Sequence, residues 1–329
     1  MKTTKLGNTG IEISAIGMGC MTIVDTVFSG NHDEATGIKT LHAALDGGIN
    51  FFDTAEGYAD GASESLVGKA FVGKRDKVVI ATKVNATNLG YADLIQACEA
   101  SLVRLRTDTI DLYQIHWANP LIPMEETCRA LKDLERQGKI RAAAVCNFGV
   151  KDLAQASGYI SLASNQLPYG LLTRAIEYEI LPLMREKRMG AIVYSPLLHG
   201  LLTGKYKTAA DVPEGIARTR HFSGKRPKTR HGEAGFETET FQAIDAIGKI
   251  ADKAGMSMAH CALAWVQSKP EVVCTLFGAT RPEQVADNLR AAELRLPLDA
   301  IAELDRATAG LKEKLGHNAD LWDSQSRIR

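Results

Sequence analysis

Short apolar runs alternate along this chain with longer stretches whose apolar residues recur at helical spacing. The runs are AIGMGC, INFFD, KVVIATK, DLYQIH, IRAAAVCN, LASNQL, GAIVYSPL and VVCTLFG, eight in all. Each reads as a strand covered on both faces, because a parallel sheet packed between helices has no solvent side to demand polar alternation. Helical spacing occurs over 34–46, 63–71, 92–105, 125–137, 151–157, 176–188 and 282–292. Eight strands alternating with helices predict an α/β fold, a (β/α)8 TIM barrel that runs through 1–329 as one domain. A doubly wound sheet is the rival architecture, but no GxGxxG follows the first buried strand, and GMGCM has the wrong spacing.

Three stretches depart from the repeat. The opening TTKLGNTGIEIS alternates apolar and polar residues on both sides of Asn8-Thr9-Gly10, which predicts a β-hairpin. Residues 203–235 form a long connection rich in Gly, Pro and basic residues, and 236–268 supply two extra helices before the last strand. Residues 311–329 read as a tail, polar apart from Trp322, that either covers a pocket or frays.

Composition narrows the class. With 329 residues and 45% apolar content the chain can fill a large core. Lys plus Arg and Asp plus Glu balance at 39 each, so no global field draws the chain to nucleic acid or an acidic membrane, and the expected partner is a small molecule. No segment offers the ~18 uninterrupted apolar residues of a membrane span, so a cytoplasmic protein is expected. The six cysteines form no CxxC pair and fall inside apolar patterns, which favours reduced structural thiols over a disulfide framework. The eight histidines show no HExxH spacing, so no metal site is expected.

Polar residues stand where the apolar runs end: Asp53, Lys83, His116, Asn147, Gln166 and Tyr194. In a parallel barrel these ends gather at one rim. Tyr58 follows Asp53 in DTAEGY. A phenol with a pKa of ~10 is a reluctant acid, and an ammonium beside it would lower that value; about three units correspond to roughly 4 kcal/mol. Lys83 is the expected neighbour, Asp53 would keep it charged, and His116 would hydrogen-bond a substrate oxygen. Singly, each residue has an ordinary reading as a cap, a solvated lysine or a surface aromatic.

The DTAxxY spacing of Asp53 and Tyr58, Glu64 in SESLVGKAF, the strand lysine Lys83 and His116 resemble the site residues of the aldo-keto reductase superfamily. The resemblance covers nearly the whole chain. It implies a barrel capped at its base by the hairpin, a nicotinamide cofactor bound without a Rossmann motif, and carbonyl reduction with Tyr58 as general acid. It assigns Asn147 and Gln166 to the nicotinamide carboxamide and Tyr194 to stacking on its ring; Cys146 stands where the family's pattern usually has serine. YSPLLHGLLTGKY is similar to the pyrophosphate segment, with Ser195, Leu197, Gly200, Leu202, Gly204 and Lys205 at the matching positions. GATRPEQVADN is similar to the adenosine-phosphate site, through Gly278, Thr280, Arg281, Gln284 and Asn288. Arg281 before Pro282 suits a 2′-phosphate, so NADP(H) is expected over NAD(H).

Met21, Trp117 and the tail near Trp322 are expected to wall the pocket, Met21 beside the cofactor and Trp117 with Tyr58 and His116 beside the substrate. The basic run from Arg218 to Glu233 is open to several readings: a flap over the pyrophosphate, a clamp for an anionic substrate, a solvated loop, or nucleic-acid binding, which the neutral chain disfavours. The expected function is NADPH-dependent reduction of an aldehyde or ketone. A cofactor-sensing subunit, like the potassium-channel β-subunits of the same superfamily, is the alternative; a barrel isomerase or lyase is a third.

Overall fold

In the computed structural model, which describes residues 1–24 and 33–329, all eight apolar runs are parallel strands. They are β3 (Ile16–Gly19), β4 (Phe51–Asp53), β5 (Val79–Val84), β6 (Ile110–Ile115), β7 (Ile140–Cys146), β8 (Ser164–Pro168), β9 (Gly190–Tyr194) and β10 (Val272–Gly278). They hydrogen-bond in sequence order, and β10 returns to β3 to close the barrel, with Thr275 opposite Ile16 and Phe277 opposite Met18. The hairpin precedes them as β1 (Thr3–Lys5) and β2 (Glu12–Ser14), paired antiparallel.

The hairpin seals the N-terminal end of the barrel. Leu6, Ile11 and Ile13 pack with Phe51, Leu112, Ala142 and Ile192 in one interior cluster. The approach is close: a Cβ on Gly7, where φ is +53°, would lie 1.9 Å from the Ala163 carbonyl oxygen, so only glycine fits.

The helices fall where the periodicity predicts, apart from a helix at Leu298–Ala307 that the sequence reading did not place and two further differences. Residues 176–188 do not form one helix; a 3-10 turn at Ala175–Glu177 is followed by a helix at Ile180–Glu186. Pro182 lacks a backbone donor and its ring clashes with the carbonyl four residues back, so it is tolerated only in a first turn. Nor is 311–329 a loose tail. It begins inside the helix Ala309–Leu315, and the stretch beyond folds around buried Asp320, which accepts two hydrogen bonds from the Arg327 guanidinium at 2.7 and 3.0 Å. Ile328 is buried, and Arg329 pairs with buried Asp152 at 2.8 Å. The two extra helices are Glu237–Lys253 and Met258–Gln267. Among the described residues no helix is long and apolar enough to cross a membrane. The six cysteines, all described, are buried with free thiols.

The basic run is laced into this framework. Arg220 pairs with Glu233 at 2.9 Å and donates to the Asn318 carbonyl, while Arg226 pairs with Glu237 at 2.9 Å and Glu214 at 3.3 Å. Lys225, Lys228 and Arg230 are exposed, so the solvated reading suits those three alone. His221, within the run, is fully buried against the Leu172 carbonyl at 2.8 Å. Burial pushes its pKa down to about 4. Because the folded value lies below the unfolded one, the stabilisation is complete above pH ~6.5 and drains away as pH falls towards 4, by about 3 kcal/mol. His221→Asn is therefore expected to show a smaller drop in urea midpoint between pH 7 and pH 4.5 than the parent chain. An identical drop would remove His221 from the acid transition.

Candidate active site

Strand parity decides which side chains meet at the rim. Phe51, Ala81, Leu112, Ala144 and Ile192 fill the lower interior from β4, β5, β6, β7 and β9. Two residues further along each strand, on the same face, stand Asp53, Lys83, Gln114, Cys146 and Tyr194. Each strand thus presents an apolar residue to the core and a polar one to the mouth.

Lys83 is completely buried and Asp53 is 2% exposed. The Lys83 ammonium donates to Asp53 Oδ2 at 2.6 Å, to the Thr54 carbonyl at 2.9 Å and to the Tyr58 hydroxyl at 3.1 Å. Asp53 Oδ1 accepts from the amides of Gln114 at 3.0 Å and Gln166 at 2.7 Å. A buried ion pair is tolerated only when its remaining lone pairs and protons find such partners. Tyr58 is aimed inward by a tight turn in which Ala59, Asp60 and Gly61 all have left-handed φ, +48°, +50° and +84°. Its ring lies edge-on to His116, centroids 5.8 Å apart at 80°.

The electrostatics correct one sequence-based expectation. Burial, the largest influence on Tyr58, raises its pKa to about 12; Lys83 pulls the other way without prevailing. The phenol keeps its proton at neutral pH. Burial also works against the Lys83 ammonium, but Asp53 and Tyr58 overcome it and hold the lysine above its ordinary range. His116 is pushed down to about 3, first by burial and then by Lys83, so its imidazole is neutral.

Around this centre lies a second tier. Asn147, in left-handed conformation at φ +61°, donates to the His116 carbonyl at 3.1 Å and to Cys146 Sγ at 3.2 Å, and accepts from the Tyr194 hydroxyl at 2.8 Å. Cys146 Sγ reaches the Gln166 side-chain Oε1 only at 3.7 Å. Trp117 carries the Arg327 guanidinium over its ring at 4.2 Å, so the tail does reach the mouth, and Trp322 is half-buried within it. Met21 follows β3 at the same rim, half-buried.

Glu64 takes no part in the Asp53–Lys83 group. It is buried on the outer face of β5, accepting from Thr82 and from Arg104, each at 2.5 Å, and so ties the helix Ala62–Ala70 to the strand and to the helix Tyr91–Leu105. Gln114 escaped the sequence reading because it lies inside the apolar run DLYQIH; a lone amide at inward parity was the available signal.

From Tyr194 the rim continues into a turn where Ser195, Leu198, His199 and Gly200 have left-handed φ of +53°, +41°, +53° and +87°. Such turns present backbone amides to one side, a cradle for phosphate oxygens. The side chain of Leu202 is buried, and Lys205 folds back so that a Cβ on Gly200 would lie 3.2 Å from its Nζ; Gly204 ends the turn at φ +79°. Beside it opens a groove of about 460 Å³, lined by Leu197, Gly278, Thr280, Arg281, Gln284 and Asn288 as the sequence predicted, and by His260, which it did not.

Comparison with known proteins accords with this geometry. The family model described as "Aldo/keto reductase family" matches residues 15–309. The chain is 36% identical over 300 residues to the aldo-keto reductase YhdN of Bacillus subtilis, covering 87% of each chain. It is 34% identical over 308 residues to a putative voltage-gated potassium channel subunit beta of Schizosaccharomyces pombe, covering 88% of this chain and 87% of that one. Among solved structures, an aldo-keto reductase from Klebsiella pneumoniae in complex with NADPH superposes with a TM-score of 0.73 at 30% identity, covering 94% of this chain and 95% of that one. Barrel, rim and sequence agree: this chain belongs to the aldo/keto reductase family.

Proposed function

We propose that this chain is an NADP(H)-dependent reductase of aldehydes or ketones, with reversible oxidation of the alcohol, and that Tyr58 is its general acid. The observation that carries this reading is the hydrogen-bonded series Asp53, Lys83 and Tyr58, at 2.6 and 3.1 Å, beside a neutral His116. When bound, a reduced nicotinamide supplies hydride to the carbonyl carbon.

The residues present fit such a cofactor. Asn147 and Gln166 offer carboxamides at the rim, Tyr194 offers a ring face, the left-handed turn after it offers backbone amides, and the groove beyond offers Arg281. The protein's share of the chemistry concerns the substrate oxygen. His116, uncharged, donates a ring N–H that orients and polarises it. Tyr58 delivers the proton, and the Lys83 ammonium stabilises the phenolate left behind, a charge that otherwise finds little solvation in a buried site. Asp53 keeps Lys83 charged and fixed, and its bonds to Gln114 and Gln166 keep Asp53 itself from turning away.

The first test is oxidation of NADPH, with NADH in parallel, followed optically against aromatic aldehydes, dicarbonyls, aldoses and keto-sugars. Turnover supports the reading; absence of both turnover and cofactor binding would sink it. Binding without turnover would favour the cofactor-sensing subunit, a reading supported by the potassium-channel relative.

Cys146 gives a second expected result. A thiol is a weak donor, and at 3.7 Å it holds Gln166 Oε1 weakly, while the amide nitrogen is anchored on Asp53 at 2.7 Å. Cys146→Ser is expected to tighten NADPH binding roughly fivefold, about one neutral hydrogen bond. An unchanged or higher Kd would show that the thiol costs nothing.

A further inference from the structure

The turn that aims Tyr58 is supported from beneath. Ala59 and Asp60, both exposed, and Gly61 stand in succession with left-handed φ, a conformation that L side chains keep only where the surroundings impose it. Gly61 ends the turn and begins the helix Ala62–Ala70, whose N-terminus has no side-chain cap. The Arg104 side chain packs directly against Gly61: a Cβ there would lie 2.6 Å from Arg104 Cδ and 2.8 Å from its Nε. Arg104 is itself fixed, because its Nε donates to Glu64 Oε2 at 2.5 Å and its Nη2 to the Ser101 hydroxyl at 3.1 Å.

Glu64 stands in the first turn of the same helix, where a carboxylate commonly bends back to cap the free backbone amides. Here it is completely buried between helix and strand instead. Its other oxygen, Oε1, accepts from the Thr82 hydroxyl at 2.5 Å, and Thr82 is the residue before Lys83 on β5. One carboxylate therefore grips both the strand that carries Lys83 and the side chain beneath the turn that carries Tyr58. Ser63 adds a second tether, donating to the Cys20 carbonyl at 2.9 Å and accepting from the Thr54 hydroxyl at 2.8 Å.

We infer that Glu64 and Arg104 are positioning residues for the proton transfer: from the outer face of the barrel they set the 3.1 Å separation between the Tyr58 hydroxyl and the Lys83 ammonium. The inference rests on the reading of Tyr58 as the general acid. A buried ion pair brings little net stability, because desolvation offsets the attraction, so stability alone is a weak reason to bury Glu64. Geometry is the stronger one: misplacing a reacting group by about 1 Å can cost on the order of a hundredfold in rate.

The test is single-turnover reduction at saturating NADPH, with the NADPH Kd and the urea midpoint measured on the same proteins. Arg104→Met is expected to slow the chemical step about ten- to a hundredfold and to leave the NADPH Kd within about a factor of two. Gly61→Ala displaces the same turn while leaving every charge in place; it should slow the step comparably, and it carries the test if Arg104→Met does not fold. Arg104→Lys, which keeps a cation for Glu64 and a stem under Gly61, should recover most of the loss. In a Tyr58→Phe background, where the positioned proton is already absent, neither Arg104→Met nor Gly61→Ala should slow the reaction further. A merely structural role would lower the urea midpoint and leave the single-turnover rate of the folded protein unchanged. Unchanged rates, or equal slowing with and without the Tyr58 hydroxyl, would overturn the inference while leaving the proposed function intact. A Tyr58→Phe protein as fast as the parent would overturn the inference and the general acid together.

Discussion

Tyr58→Phe is expected to lower the rate of carbonyl reduction by about a hundred- to ten-thousandfold and to leave the Kd for NADPH within a factor of two. The aromatic ring and its edge-on packing with His116 are retained, so the pocket keeps its shape. What is lost is the transferable proton, and a positioned general acid contributes roughly 10²–10⁴-fold. The fold should tolerate the change, because Lys83 keeps its bonds to Asp53 and the Thr54 carbonyl when the phenol at 3.1 Å is gone. Single-turnover rates with saturating NADPH separate the chemical step from binding. If the variant turns over as the parent does, Tyr58 is not the acid.

Lys83→Met is expected to abolish turnover and, in addition, to destabilise the protein by about 3–5 kcal/mol, the usual cost of leaving one member of a buried ion pair without the other. Asp53 would keep its two amide donors but lose the Lys83 ammonium. The double variant Asp53→Asn with Lys83→Met removes both charges, and much of the lost stability should return while activity does not. Chemical denaturation of the four members of this cycle measures the coupling between the two residues. A Lys83→Met protein as stable as the parent would mean that the ion pair adds nothing to the stability of the fold.

The sequence made the barrel and most of the rim legible, for a physical reason. A strand buried on both faces writes a continuous apolar run, and a polar residue that ends it at inward parity has nowhere to point but the mouth. Asp53, Lys83 and Tyr194 were legible in this way; His116, just beyond β6, and Tyr58, in the turn that follows β4, stood out by the chemistry expected beside them. Gln114 was not, because it interrupts an apolar run instead of ending one. The order of Lys83 and Tyr58 was legible, but the direction of the Tyr58 shift was not: it depends on how much water the finished site excludes, and burial outweighs the ammonium.

Long-range ties defeated the reading elsewhere. The tail looks polar because its anchors, Arg329 to Asp152 and Arg327 to Trp117, lie far off in sequence. His260 looks like one polar residue in an apolar helix until β10 and the helix after it bring Arg281 and Asp287 alongside.

The pairing of β3 with β10 also bears on how this protein is made. Ile16 waits for Thr275, so the ring cannot close until nearly the whole chain has left the ribosome. Until then β3 and, once it is made, β9 are open sheet edges, each able to recruit a neighbouring chain. Slow or interrupted synthesis of residues 195–271, between β9 and β10, prolongs that exposure. Solubility during expression is thus governed by the time taken to translate this stretch as well as by the stability of the finished fold.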